Sequence, residues 1–127
     1  MKKVIALLFF LASFSEGFSQ TPPDLNGLWA DSNSASFQNT YIIIAQEGNK
    51  VSFSHYLEFK GKPMVEYGKG KIKGREVKYK VKVSKAIPGW ATMGFHDLFL
   101  SEDGNTLRGT YKDSQGNSGP LVFKKLR

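Results

Sequence analysis

From residue 27 onward, apolar and polar positions alternate with a period of two, the mark of strands with one buried face, and no stretch repeats with the period of an amphipathic helix. The clearest run is Glu76 to Lys85, with Val77, Tyr79, Val81 and Val83 on one face and Lys78, Lys80 and Lys82 on the other. Lys50 to Phe59 repeats the pattern through Val51, Phe53, His55, Leu57 and Phe59. The same reading predicts strands at 27–31, 40–46 (centred on Ile42, Ile43 and Ile44), 64–73, 94–101, 106–112 and 120–126. Strand four resists simple alternation. Lys69, Lys71 and Lys73 must face water, which turns Met64, Glu66 and Ile72 inward, unless Gly68 and Gly70 form a bulge that resets the phase. Glu66 and Tyr67 therefore both remain candidates for the inner position.

The connections organise these strands. Residues 47–49, 74–75 and 102–105 are tight turns with hairpin chemistry, whereas 32–39, 60–63, 86–93 and 113–118 are mostly longer. In an up-and-down meander, alternate connections lie at opposite ends, so one end is pinched and the other is a mouth. The predicted fold is all-β, an eight-stranded antiparallel up-and-down barrel, of a size that holds side chains or one small ligand. Closure also removes the edges that an open sheet would expose.

The first residues follow another pattern. Lys2 and Lys3 precede an apolar run from Val4 to Ala12, ending in small residues, which reads as a secretory signal peptide over 1–19. The run is too short for a transmembrane segment. Residues 20–26 form a short leader with Pro22 and Pro23, and 27–127 a single barrel domain. The expected location is periplasmic or extracellular. The absence of any Asn-x-Ser/Thr site fits a bacterial envelope.

Composition sharpens this. The 127 residues hold 18 Lys and Arg against 11 Asp and Glu, a net charge of +7. In an exported protein such an excess points to anionic glycans or lipid surfaces rather than to nucleic acid. With no Cys in the chain, disulfides, thiol catalysis and Cys-ligated metal are excluded. No cofactor is expected. Lys69, Lys71, Lys73, Lys78, Lys80 and Lys82 form a basic stripe on the outer face of strands four and five.

Gly27-Leu28-Trp29 on the first strand resembles the lipocalin signature and its wider calycin relatives. The resemblance implies that Trp29 sits at the closed end under an Arg from the end of the last strand, a place Arg127 would fill. Gly27, Trp29 and Arg127 are then structural residues. The chain departs from the family in lacking a Thr-Asp-Tyr-type motif, a C-terminal helix and a disulfide. Streptavidin-like barrels match the size, but their pockets need several Trp and this chain has only Trp29 and Trp90.

Candidate chemistry is sparse. His55 and His96 are the only histidines, and both fall on inner faces. They are either satisfied core groups or polar anchors in an apolar pocket, bonding each other, Glu66, Tyr111 or a ligand. No metal-ligand spacing or catalytic triad is readable. Asp113, Gln115 and Asn117 resemble a calcium loop but lack the closing Glu. Strand directions place His55, Leu57, Phe59, Val81, Val83, His96 and Tyr111 around the upper interior, with Trp90 above it on the 86–93 loop as ligand cap or plug. The leading expectation is an exported barrel binding a small, mainly apolar molecule with at most one polar or acidic end. A protein-interaction module or envelope inhibitor with a filled barrel is the alternative, and a small barrel enzyme using His55, His96, Glu66 and Tyr111 is a third. Export predicts a mature chain beginning at Gln20, which the intact mass of secreted material checks; retention of residues 1–19 would refute it.

Overall fold

The computed structural model describes residues 21–32 and 38–127. The signal segment, the cleavage point before Gln20, and residues 33–37 of the first mouth loop lie outside the described residues. The strands are β1 (Gly27–Asp31), β2 (Gln38–Glu47), β3 (Lys50–Phe59), β4 (Lys62–Lys73), β5 (Glu76–Val83), β6 (Met93–Leu100), β7 (Thr106–Asp113) and β8 (Ser118–Lys125). They pair antiparallel in chain order, and β8 returns to β1 to close an all-β barrel.

Several boundaries differ from expectation by one or two residues. The largest consequence is at the mouth, where β3 and β4 are joined by only Lys60 and Gly61, with φ of 52° and 73°. Two consecutive residues at positive φ make a tight hairpin turn rather than the longer loop expected over 60–63. The β7–β8 connection is also short, so residues 84–92 form the long described loop at that end.

Strand β4 settles the open question of phase. Glu66 is buried and Tyr67 is 49% exposed. No bulge lies at Gly68 or Gly70, because the register runs unbroken on both sides, with Phe53↔Gly68↔Val81 and Val51↔Gly70↔Tyr79. The glycines answer a steric demand instead. A Cβ on Gly68 would stand 1.7 Å from the Lys80 carbonyl oxygen, and one on Gly70 would stand 2.0 Å from that of Lys78. The rings of Phe53 and Tyr79, from the strands flanking β4, stack with centroids 3.6 Å apart where β4 carries no inward side chain. The bulge lies in β2, between Gln38 and Tyr41, where Asn39 has φ 53°.

The pinched end is sealed from below by the leader. Leu25 is fully buried, its N–H donates to Gln46 Oε1 (2.8 Å), and its carbonyl accepts from Trp29 Nε1 (3.0 Å). Sequence reasoning treated 20–26 only as a lead-in; a lone Leu in a polar stretch gives no periodicity to detect. The cation over Trp29 also differs from expectation. It is Lys125, whose Nζ lies 5.5 Å from the ring, because Lys125 is the residue paired with Trp29 across the seam. Arg127 lies two residues further on and acts through its backbone. Its carbonyl accepts from Leu28 N–H (3.0 Å), and a Cβ on Gly27 would stand 2.1 Å from that same oxygen. Arg75 fastens the neighbouring turn, donating from Nε to the Leu100 carbonyl (3.0 Å) and from Nη2 to that of Ser101.

Above this seal, Phe53, Ile72, Val77, Leu98, Leu107 and Phe123 fill the lower barrel. Adding a methyl at the β4–β5 contact forces backbone apart rather than displacing a flexible side chain. Gly68→Ala is therefore expected to lower unfolding free energy by about 2 kcal/mol. An unchanged denaturant midpoint would contradict that close approach.

Candidate functional site

Alternation turns an inward side chain from each of several consecutive strands toward the same space below the mouth: His55 on β3, Glu66 on β4, Val81 on β5, His96 on β6, Tyr111 on β7 and Leu121 on β8. They surround a cavity of about 370 Å³, partly open to solvent. Leu57, Phe59 and Trp90 continue its wall upward, so seven of the eight sequence-predicted ligand-binding residues line it. Val83 does not. It is half-buried at the end of β5, where its N–H donates to the Thr92 carbonyl (3.0 Å) as the chain leaves the sheet. Asp31 on β1 and Asp113 on β7 also line the cavity; the sequence signal available for Asp31 was its period-two phase with the inward Trp29.

Glu66 organises the polar side. Its Oε2 lies 3.2 Å from His55 Nδ1, and its Oε1 accepts a 2.9 Å hydrogen bond from Trp90 Nε1. A carboxylate only accepts, so its partner nitrogen on His55 carries the proton. Burial alone would raise the Glu66 pKa, but the hydrogen bond and charge of His55, the Trp90 bond and the charge of His96 together hold it below the ordinary carboxylate value. Trp90 thus belongs to the cavity wall, fastened at its nitrogen and packed edge-to-face on Phe59 with centroids 4.9 Å apart.

Beside this group, His96 Nδ1 and the Tyr79 hydroxyl share a 2.7 Å hydrogen bond. Burial drives the His96 pKa down to about 4, opposed by the charge of Glu66 and aided by that of His55. The Tyr79 phenol is pushed well above its ordinary value by burial, then by the charges of Glu66 and Asp31. His96 is therefore neutral and Tyr79 protonated at neutral pH. The two histidine rings stand edge-to-face, 6.5 Å apart, without a direct bond.

The calcium-like stretch on the β7–β8 turn is a self-contained turn. Asp113 accepts from the backbone of Gln115 and Asn117 and from the Asn117 side chain, each at 2.9 Å. Among the described residues, no group of three His, Cys, Asp or Glu converges as metal ligands. On the outer wall all six lysines of the stripe are exposed, with Lys69 directly opposite Lys80 and Lys71 opposite Lys78. Lys78 bridges Glu76 (2.9 Å) and lies 3.7 Å from Asp97, which offsets part of the repulsion.

Fold and site together define a small closed eight-stranded up-and-down β-barrel, sealed at one end and hollow at the other. No protein-family model matches the chain, and no curated protein does. The architecture is compatible with a lipocalin-like barrel.

Protonation of His96 gives a test of the site's electrostatics. Between about 6.5 and about 4 the unfolded chain takes up a proton on this side chain that the folded chain refuses, so stability falls as pH drops through that window. Glu66 acts in the same direction, its contribution fading as pH falls through its lowered folded value. Urea unfolding should show a loss approaching about 3 kcal/mol from His96 across the window. His96→Gln should flatten that slope, and an equal slope in the variant would show that the proton is taken up elsewhere.

Proposed function

We propose that this chain is an exported, lipocalin-like barrel that binds a small, mainly apolar ligand in the cavity beneath its mouth, acting in the periplasm or outside the cell. The observation that carries the proposal is the cavity itself. Its volume of about 370 Å³ lies in the range of small-molecule sites, its upper wall is built from Leu57, Phe59, Val81 and Trp90, and Glu66, His55 and Trp90 hold one another in place. Burial of ligand carbon against these walls supplies about 25 cal/mol per Å², before the cost of association. The fully packed barrel of an interaction module fits less well, since packing is complete only in the lower half. Catalysis also has less support: neither histidine has a Ser or Thr hydroxyl as its hydrogen-bond partner among the described residues.

Export rests on the basic and apolar N-terminal segment, and the likeness to lipocalins on Gly27, Trp29 and the topology. The exposed lysine stripe supports a secondary, salt-sensitive attraction to anionic glycan or lipid, because directly opposed lysines cost sheet stability and an anionic partner relieves them.

Binding is measured with the neutral fluorescent probe N-phenyl-1-naphthylamine. Saturable one-site binding is expected. Leu57→Trp, which fills the cavity from β3, should weaken it at least tenfold while the far-ultraviolet circular dichroism keeps its β signature. Val81→Phe gives the same test from β5 should the first variant fold poorly. Absence of saturable binding, or binding untouched by both variants, would overturn the proposal.

A further inference from the structure

The charge lining the cavity is opposite to the charge of the chain. The chain has 18 Lys and Arg and a net charge of +7, yet among the described residues none of these cations lines the cavity, whereas three of the chain's 11 carboxylates do: Asp31, Glu66 and Asp113. They come from three different strands, so no local sequence feature groups them. Asp113 is engaged by its own turn, and the charges of Glu66 and Asp31 both bear on the buried Tyr79 hydroxyl. The nearby imidazole of His96 adds no compensating positive charge at neutral pH.

The cavity also holds unspent hydrogen-bonding capacity. Glu66 uses one acceptor position on each oxygen, for His55 and for Trp90, and a carboxylate offers about four. His55 is 4% exposed and lines the same cavity, and its Nε2 has no hydrogen-bond partner. Its Nδ1 is taken by Glu66, so Nε2 is a buried polar atom of the cavity lining that a ligand's polar group would satisfy. The site keeps unspent acceptor positions on Glu66 together with negative charge, and its wall includes the Trp90 ring, whose face attracts cations, while Lys60 Nζ already stands 5.2 Å from the centroid of Phe59.

We propose that the cavity selects a small organic cation, a protonated amine on an apolar, ring-bearing body, with the ammonium group directed to Glu66 and Asp31 and the body against Leu57, Phe59 and Trp90. This rests on the ligand-binding reading above and specifies the ligand's charge. Of the polar or acidic end that the sequence left open, it excludes the acidic one, which would have to enter against three carboxylates in a site partly screened from water.

Three probes sharing one apolar body separate the possibilities: 4-phenylbutylamine, 4-phenylbutan-1-ol and 4-phenylbutyrate, titrated into the mature protein by calorimetry at pH 7.5 and fixed salt. The amine should bind at least tenfold more tightly than the carboxylate, with the alcohol between them. Glu66→Gln and Asp31→Asn should each reduce the amine's advantage severalfold and leave the alcohol's affinity nearly unchanged. Asp31→Asn carries the comparison alone if Glu66→Gln destabilises the barrel, because Asp31 is only half-buried. Carboxylate binding equal to or tighter than amine binding, or an amine advantage that survives every folded variant, would overturn the charge assignment and leave an apolar pocket standing. Failure of all three probes to bind at millimolar concentration would overturn the pocket as well.

Discussion

The barrel closes over a short seam in which Trp29, Ala30 and Asp31 pair with Lys125, Lys124 and Phe123. Without those pairs β1 and β8 would be exposed edges, and the inward faces of eight strands would have no common interior. The seam carries reinforcement out of proportion to its length. Gly27 lets the Arg127 backbone approach, Leu28 exchanges hydrogen bonds with it, Lys125 lies over Trp29, and Leu25 folds back beneath the indole. A cation over an indole contributes about 0.5–2 kcal/mol, and the buried Leu25 side chain contributes about as much again. Gly68 and Gly70 serve the same closure further round, letting β4 and β5 approach so that Phe53 and Tyr79 can stack inside.

Sealing one end decides what the other end can be. Apolar packing is used up in the lower barrel, and the upper barrel is held by a few polar contacts instead. The bonds of Glu66 to His55 and Trp90 join β3, β4 and the 84–92 loop around one buried carboxylate. Such a group is held firmly only while each member keeps its partner. The indole that walls the cavity is thus fixed in position by the charge that defines its polarity.

Much of the fold was legible because the signal was local and repeated. The lysines on β5 and the valines between them set its phase without reference to any other strand, and the tight turns set the order. Phase was also enough to turn His55, His96 and Tyr111 toward one space. What was not legible depended on contacts between distant segments. A bulge at Gly68 and Gly70 stayed open because sequence shows that a glycine lacks a side chain, but not that a neighbouring carbonyl occupies its place. Arg127 was expected over Trp29, but pairing across the seam puts Lys125 there. Glu66 was ambiguous for as long as that bulge was entertained, and Asp31 joined the cavity only when β1 met β8. Val83 had the correct phase but stood where the chain had already begun to leave the sheet.

The separation between a packed lower barrel and a hollow upper one also bears on how such a protein diverges. Substitutions at the seam, at Leu25 or at the inward glycines act on closure, and few alternatives satisfy the same close contacts. Substitutions at Leu57, Phe59 or Val81 alter a wall that already borders empty space, so many sizes and polarities fit without disturbing the packing below. The sealed end can therefore stay as it is while the size and polarity of the hollow end change.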